Sequence, residues 1–229
     1  MVTFVLIHSP LVGPCTWELV AHELGRRGHE TIIPELTSGE GGPYWKQHVG
    51  AIGGALEPVP LDHSVILIGH SGAGMLLPAA GQTVDHHVAG YIFVDAGIPL
   101  NNKSRLDFFA PEEAEAFRKA ATGGMIPVWT SDDLREVIPD DELREKFSAE
   151  LRRLPLAVYE EPIPVFAEWP DAPCGYLLFT PTHAYGESAE RAKVAGWPYT
   201  ELAGGHFHML VDPEAVTSVL LDLVGRMSV

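Results

Sequence analysis

A chain of 229 residues, 46% hydrophobic and 20% charged, has the length of one domain with a sizeable core and lies far from the composition of a disordered segment. Its formal net charge of −16 argues against nucleic acid and anionic membrane surfaces as partners, because both are bound by clustered Lys and Arg. Two cysteines, Cys15 and Cys174, are too few for a disulfide framework and lack partners at metal-ligand spacing, so a reducing compartment and no metal are expected.

The N-terminus, MVTFVLIHSP, lacks the basic start and the apolar length of a secretory signal, and no run of 18 apolar residues follows. A cytoplasmic location is the expectation. Val2 to Ile7 reads as a buried strand. Trp17, Val20, Ala21 and Leu24 then recur at helical spacing up to Gly28. Thr31 to Ile33 is a short strand, Trp45, Val49, Ile52 and Leu56 mark a second helical face, and Val65 to Ile68 is another buried strand. A short helix should follow, kinked or ended by Pro78. Tyr91 to Val94 is the next strand, and Tyr176 to Phe179 another after a long gap. The last helix opens with Asp212 as N-cap and Pro213 at its first position, and turns Val216, Val219, Leu220 and Leu223 inward. Such alternation predicts a mostly parallel α/β sheet covered by helices on both faces.

Between Asn101 and Pro173 no good strand appears, while PEEAEAFRKAATGG and DDELREKFSAELRRLP read as helices bounded by Pro and Gly. The expectation is a single domain, 1–229, with a helical insertion at about 101–173 that lies over the carboxyl ends of the strands as a lid.

The stretch VILIGHSGAG, residues 65 to 74, carries the chemistry. A sharp strand-to-helix turn lifts Ser71 above the carboxyl edge of the sheet, and Gly69 and Ala73 are small enough to let the backbone bend that tightly. The N–H of Gly72, at the start of the following helix, then points toward an oxyanion forming beside Ser71. A phosphate-binding reading fails because no Gly-Lys-Ser/Thr follows and Leu77 stands where a G-x-G-x-x-G pattern needs glycine. A serine hydroxyl needs a base to become a useful nucleophile. Among eleven histidines, His206 in GGHFHMLVDPEAV sits best, on a Gly-rich loop just before the closing helix, with His208 as the alternative. His8 and His70 also lie near the sheet edge, in positions that suit shape more than proton transfer.

The order of strand, G-x-S-x-small turn, helical insertion and late Gly-Gly-His before Asp-Pro resembles the α/β-hydrolase superfamily over essentially the whole chain. FVLIHSPLVGPCTW is similar to the first strand and oxyanion loop of its small plant-type esterases and hydroxynitrile lyases. That resemblance implies Ser71 as nucleophile, His206 as base and the loop after His8 as the second half of an oxyanion hole. Most members place a carboxylate after the penultimate strand, where the next acid here is Glu187. Asp95, closing the strand YIFVD, is the residue chosen here, as in some members, with a cap on the AGIP turn as its alternative role. Aligned on His8, the resemblance expects a backbone donor at Pro10, which has no N–H; either Leu11 serves after a small shift of the loop, or the reaction needs less oxyanion stabilisation than ester hydrolysis.

The leading expectation is a serine hydrolase for an ester, thioester or lactone of a small to medium apolar molecule, requiring no cofactor. A lyase or cyclase using Ser71 and His206 for proton transfer is the alternative that Pro10 favours, and a non-catalytic binding protein is a third. Phe108, Phe109, Trp129, Tyr159 and Trp169 are read mainly as the insertion's own core, with a pocket lining as the alternative.

Overall fold

The computed structural model describes residues 1–181 and 184–227. In chain order it runs β1 (Val2–Ile7), α1 (Cys15–Arg26), β2 (Glu30–Ile32), α2 (Tyr44–Leu56), β3 (Ser64–His70), a 3-10 segment Ser71–Leu76, α3 (Leu77–Gly81) and β4 (Val88–Val94). Four helices follow, α4 (Pro111–Ala120), α5 (Ser131–Leu134), α6 (Asp141–Ala149) and α7 (Ala157–Glu160). The chain ends with β5 (Cys174–Thr180), α8 (Gly186–Val194), β6 (Tyr199–Ala203), α9 (His208–Val211) and α10 (Pro213–Arg226).

The six strands form one sheet in the order β2-β1-β3-β4-β5-β6, and every pairing in it is parallel. Alternate residues of each strand feed opposite faces. Val5, Ile7, Val65, Leu67, Tyr91, Phe93 and Tyr176 pack under α2, α3 and α8. Phe4, Leu6, Ile66, Ile68, Ile92, Val94 and Phe179 pack under α1, α9 and α10. Such a strand has no solvent face, which is why its sequence is a continuous apolar run. Burying each of these large side chains contributes about 1.5–3 kcal/mol, so the carboxyl edge of the central strands is a rigid platform. The strand order reverses between β1 and β3, and the crevice above a reversal of this kind is where open α/β folds bind ligands.

Two local expectations need correction. Pro78 does not kink or end the helix after β3; it sits in the first turn of α3, where a missing N–H costs no hydrogen bond. The residues before it, Ser71–Leu76, wind as 3-10. The strand expected at 31–33 pairs one residue earlier, at Glu30–Ile32. The segment 101–173 adds no strand to the sheet and makes only isolated bridges, Lys103 with Ile163, Thr122 with Met125 and Met125 with Pro155. Its interior is a separate small cluster of Leu106, Ile126, Leu154, Val158 and Tyr159, joined by Tyr44 of α2. Both cysteines are buried and free, and no helix among the described residues is long and apolar enough to cross a membrane.

Candidate active site

The turn after β3 is built by close approach. A Cβ on Gly69 would come within 3.1 Å of the Ala73 and Gly74 backbone, and one on Gly74 within 2.6 Å of the Gly97 carbonyl oxygen. Only hydrogen fits at Gly74, a Cβ at Gly69 would be a tight contact that its neighbours must yield to, and the chain between them swings Ser71 into a left-handed conformation, φ 57. Its hydroxyl thereby stands over the sheet edge.

His206 arrives from the loop between β6 and α9. Its Nε2 is 3.0 Å from Ser71 Oγ, and its Nδ1 is 2.6 Å from Asp95 Oδ2. Asp95, also left-handed with φ 42, follows β4 and is fully buried. A carboxylate at that distance accepts the Nδ1–H, leaving the Nε2 lone pair to accept the Ser71 proton. The three side chains thus make a hydrogen-bonded chain from carboxylate to hydroxyl.

The other candidate histidines, His208, His70 and His8, are occupied elsewhere. His208 is the group that Gly204 makes room for, and its ring packs edge-on to Phe179. His70 is fully buried, donates from Nε2 to the His206 carbonyl at 2.8 Å and packs its ring 4.4 Å from the His206 ring. Burial and the neighbouring His206 hold it neutral, its pKa well below the usual histidine value. It positions the loop that carries His206. His8 bonds Nδ1–H to the Ser9 carbonyl and accepts the Leu36 N–H at Nε2, and burial drops its pKa to about 4. Neither His8 nor Pro10 is among the residues lining the cavity described below. Pro10 instead forms a turn closed by Val12 N–H to the Ser9 carbonyl at 3.1 Å, with Ser9, Leu11 and Val12 on the cavity wall. Glu187 lines the cavity but hydrogen-bonds to neither Ser71 nor His206 among the described residues.

The cavity has a volume of about 1000 Å³ and opens over Ser71, Gly72 and His206. Phe108, Phe109, Trp129 and Tyr159 all line it; Tyr159 and Phe109 belong at the same time to the insertion's own core, so both readings hold for them, whereas Trp169 packs against Tyr91, Phe93 and Trp197. Each of the four must cover the pocket from a segment without strands, which a pattern of helical and strand spacings does not encode.

A model described as the alpha/beta hydrolase family matches residues 4–219. The chain belongs to this family. Among curated relatives it is 29% identical over 112 residues to a carbendazim hydrolyzing esterase of Nocardioides sp., covering 45% of this chain and 46% of that protein. It is 28% identical over 108 residues to polyneuridine aldehyde esterase of Rauvolfia serpentina, covering 44% of this chain and 41% of that protein. The matched stretch therefore spans less than half of either relative. Among solved structures, an extracellular alpha/beta-hydrolase from a Paenibacillus species superimposes with TM-score 0.80 at 23% identity, covering 97% of this chain and 99% of that one. Tomato methylketone synthase I in complex with 2-tridecanone does so with TM-score 0.73 at 16% identity and 98% coverage of each chain. At these identities the likeness is one of fold.

Two side chains that the sequence did not single out lie against Ser71 and Gly72. Arg105 is buried, donates from Nε to the Gly72 carbonyl at 3.1 Å and from Nη1 to the Val158 carbonyl at 2.8 Å, and lies over the Tyr159 ring. It ties the turn after Ser71 to α7. Burial lowers its pKa, and its charge helps push the buried His48 down to about 3, second to desolvation. Tyr185 places its hydroxyl 3.0 Å from Ser71 Oγ and stacks on His206, ring centroids 5.7 Å apart at 19°. No periodicity or motif marks either residue.

Proposed function

We propose that the protein is a serine hydrolase that cleaves an ester, thioester or lactone of a small to medium apolar molecule, with residues 101–173 as the lid of its pocket. The observation that carries this reading is the unbroken chain Asp95–His206–Ser71, 2.6 and 3.0 Å, at the floor of a largely apolar cavity. Ser71 Oγ attacks the carbonyl carbon as His206 Nε2 takes its proton. The leaving group departs with that proton, and water, deprotonated by His206, then releases the acid from Ser71. Asp95 holds His206 in the tautomer that accepts at Nε2 and stabilises the imidazolium. Gly72 N–H is one oxyanion donor. Leu11, on the cavity wall beside a proline that has no N–H, supplies the other.

The curated relatives that match part of the chain, an esterase named for hydrolyzing carbendazim and one named for polyneuridine aldehyde, support ester chemistry without naming this substrate. The Pro10 turn favours a second reading, a lyase or cyclase in which Ser71 and His206 move protons without forming an acyl-enzyme. The experiment that separates them is turnover of a panel of simple esters by the native chain and by Ser71→Ala. Hydrolysis that disappears with Ser71 supports the hydrolase; absence of any Ser71-dependent ester cleavage supports the alternative.

A further inference from the structure

Asp95, after β4, makes the contact with His206 Nδ1, and the segment after β5 brings a phenol to the nucleophile. The proton inventory fixes the direction of the bond. Asp95 accepts from His206 Nδ1–H, so Nε2 carries a lone pair and takes the single hydrogen of Ser71. Ser71 Oγ therefore accepts the hydrogen of Tyr185, which is a donor aimed at the reacting oxygen. Burial pushes the Tyr185 phenol well above its ordinary pKa, so it holds its proton at every working pH.

The strand order says which side of the reaction this donor serves. β1 and its loop, with Ser9 and Leu11, lie on one side of β3; β4 and β5, with Tyr185, lie on the other. The donors proposed above for the oxyanion, Gly72 N–H and Leu11 N–H, come from the turn after β3 and from the loop after β1. Tyr185, stacked along the His206 ring, faces the other side, where His206 delivers its proton to the departing group.

Resting on the hydrolase reading above, we propose that Tyr185 is a catalytic residue that hydrogen-bonds the leaving oxygen and selects oxygen esters of unactivated aliphatic alcohols as the substrate class. In acylation the Ser71 Oγ–carbon bond forms, the Ser71 proton passes to His206 Nε2, the carbon–oxygen bond to the alcohol breaks, and the same proton passes from His206 to that oxygen. Tyr185 keeps its own proton throughout. As the leaving oxygen gains charge, the Tyr185 hydroxyl swings from Ser71 Oγ, whose lone pair is now bonded to carbon, to that oxygen. A hydrogen bond of this kind strengthens with the basicity of the acceptor. It matters most for an alkoxide, little for a nitrophenolate, and little for a thiolate, a weak acceptor.

The test is a series of butanoate esters with p-nitrophenol, phenol, trifluoroethanol and ethanol as leaving groups, plus a butanoyl thioester, run on the native chain, Tyr185→Phe and Ser71→Ala. Tyr185→Phe should cost about twofold in kcat/KM on the nitrophenyl ester and thioester and roughly tenfold to a hundredfold on the ethyl ester, most of it in kcat. The native chain alone should show a shallower dependence of log kcat/KM on leaving-group pKa than Tyr185→Phe, and the rate of fluorophosphonate labelling of Ser71 should stay within a few-fold. An equal loss across the series, or a loss of labelling that matches the loss of turnover, would overturn the proposal in favour of a hydroxyl that only supports Ser71. Should the variant fold poorly, a native dependence as steep as that of the uncatalysed reaction overturns it equally. A native rate that survives in Ser71→Ala overturns the hydrolase reading itself, whereas Ser71-dependent turnover with a flat loss overturns this inference alone.

Discussion

Asp95 Oδ2 lies 2.6 Å from His206 Nδ1, joining the end of β4 to the loop after β6 across the intervening strand β5. The contact is between residues 111 positions apart in the chain, and the carboxylate is fully buried. Asp95→Asn keeps the shape but offers an N–H where an acceptor is needed, which favours the wrong His206 tautomer. Turnover should fall on the order of 10³–10⁴-fold, while Glu187→Gln, at the cavity wall, should change it only slightly. Kinetics on one ester together with melting temperatures decide the matter: a carboxylate that merely capped its turn would lower the melting temperature and leave the rate per folded molecule intact.

Pro10 tests the oxyanion side. Pro10→Ala restores an N–H in the loop after β1, so kcat on an activated ester should stay level or rise. The relaxed φ can loosen the turn closed by Val12 and Ser9, so a melting curve accompanies the rate. A stable variant with strongly reduced turnover would mean that the proline shapes a hole completed by another donor and would remove the main support for a lyase.

Gly74 tests the turn that carries the serine. An alanine Cβ there meets the Gly97 carbonyl oxygen at 2.6 Å and Ala96 Cβ at 2.9 Å, both on the segment after β4 that also holds Asp95. Neither neighbour is a flexible side-chain end. Gly74→Ala should cost about 1–3 kcal/mol in chemical denaturation and should reduce turnover more than that loss of folded protein explains. Gly53→Ala, in the interior of α2 with open space around its Cβ, is the control: it should leave turnover unchanged and raise stability by about 0.5–1 kcal/mol.

The stability of the protein should decline in mild acid. His8, His48 and His70 are held neutral by burial, at about 4, about 3 and well below the ordinary value of 6.5. In the unfolded chain each binds a proton near 6.5, so between that pH and the folded value the unfolded state holds more protons. Stability then rises with pH, by on the order of 1.4 kcal/mol per pH unit for each such histidine. It is fully present above about pH 6.5 and is lost progressively toward pH 4. Melting temperature against pH should show this slope, and His48→Gln should make it shallower; a flat profile between 6.5 and 4 would contradict the buried neutral histidines.

Much of the fold was legible because its central strands are buried on both faces. Val65 to Ile68 and Tyr91 to Val94 read as unbroken apolar runs, and the glycines around Ser71 announce a turn that only small residues allow. β6 was not, since Tyr199–Ala203 is an edge strand whose half-exposed sequence, YTELA, shows no apolar run. Ser71, His206 and Asp95 could be named from motif and position in the chain, but the contact between Asp95 and His206 depends on where two distant loops end. Tyr185 and Arg105 were invisible for the same reason. Their neighbours in space, Ser71 and Gly72, are 114 and 33 residues away, and neither lies in a motif.

In the proposed reaction Ser71 is a nucleophile activated by His206. Intact mass after incubation with a fluorophosphonate reads it without knowledge of the substrate: Ser71 Oγ displaces fluoride from phosphorus, and the proton leaves through His206. The native chain should gain one phosphonyl group, and Ser71→Ala should gain none. Equal labelling of native and Ser71→Ala protein, or no labelling of a folded native chain, would contradict the account.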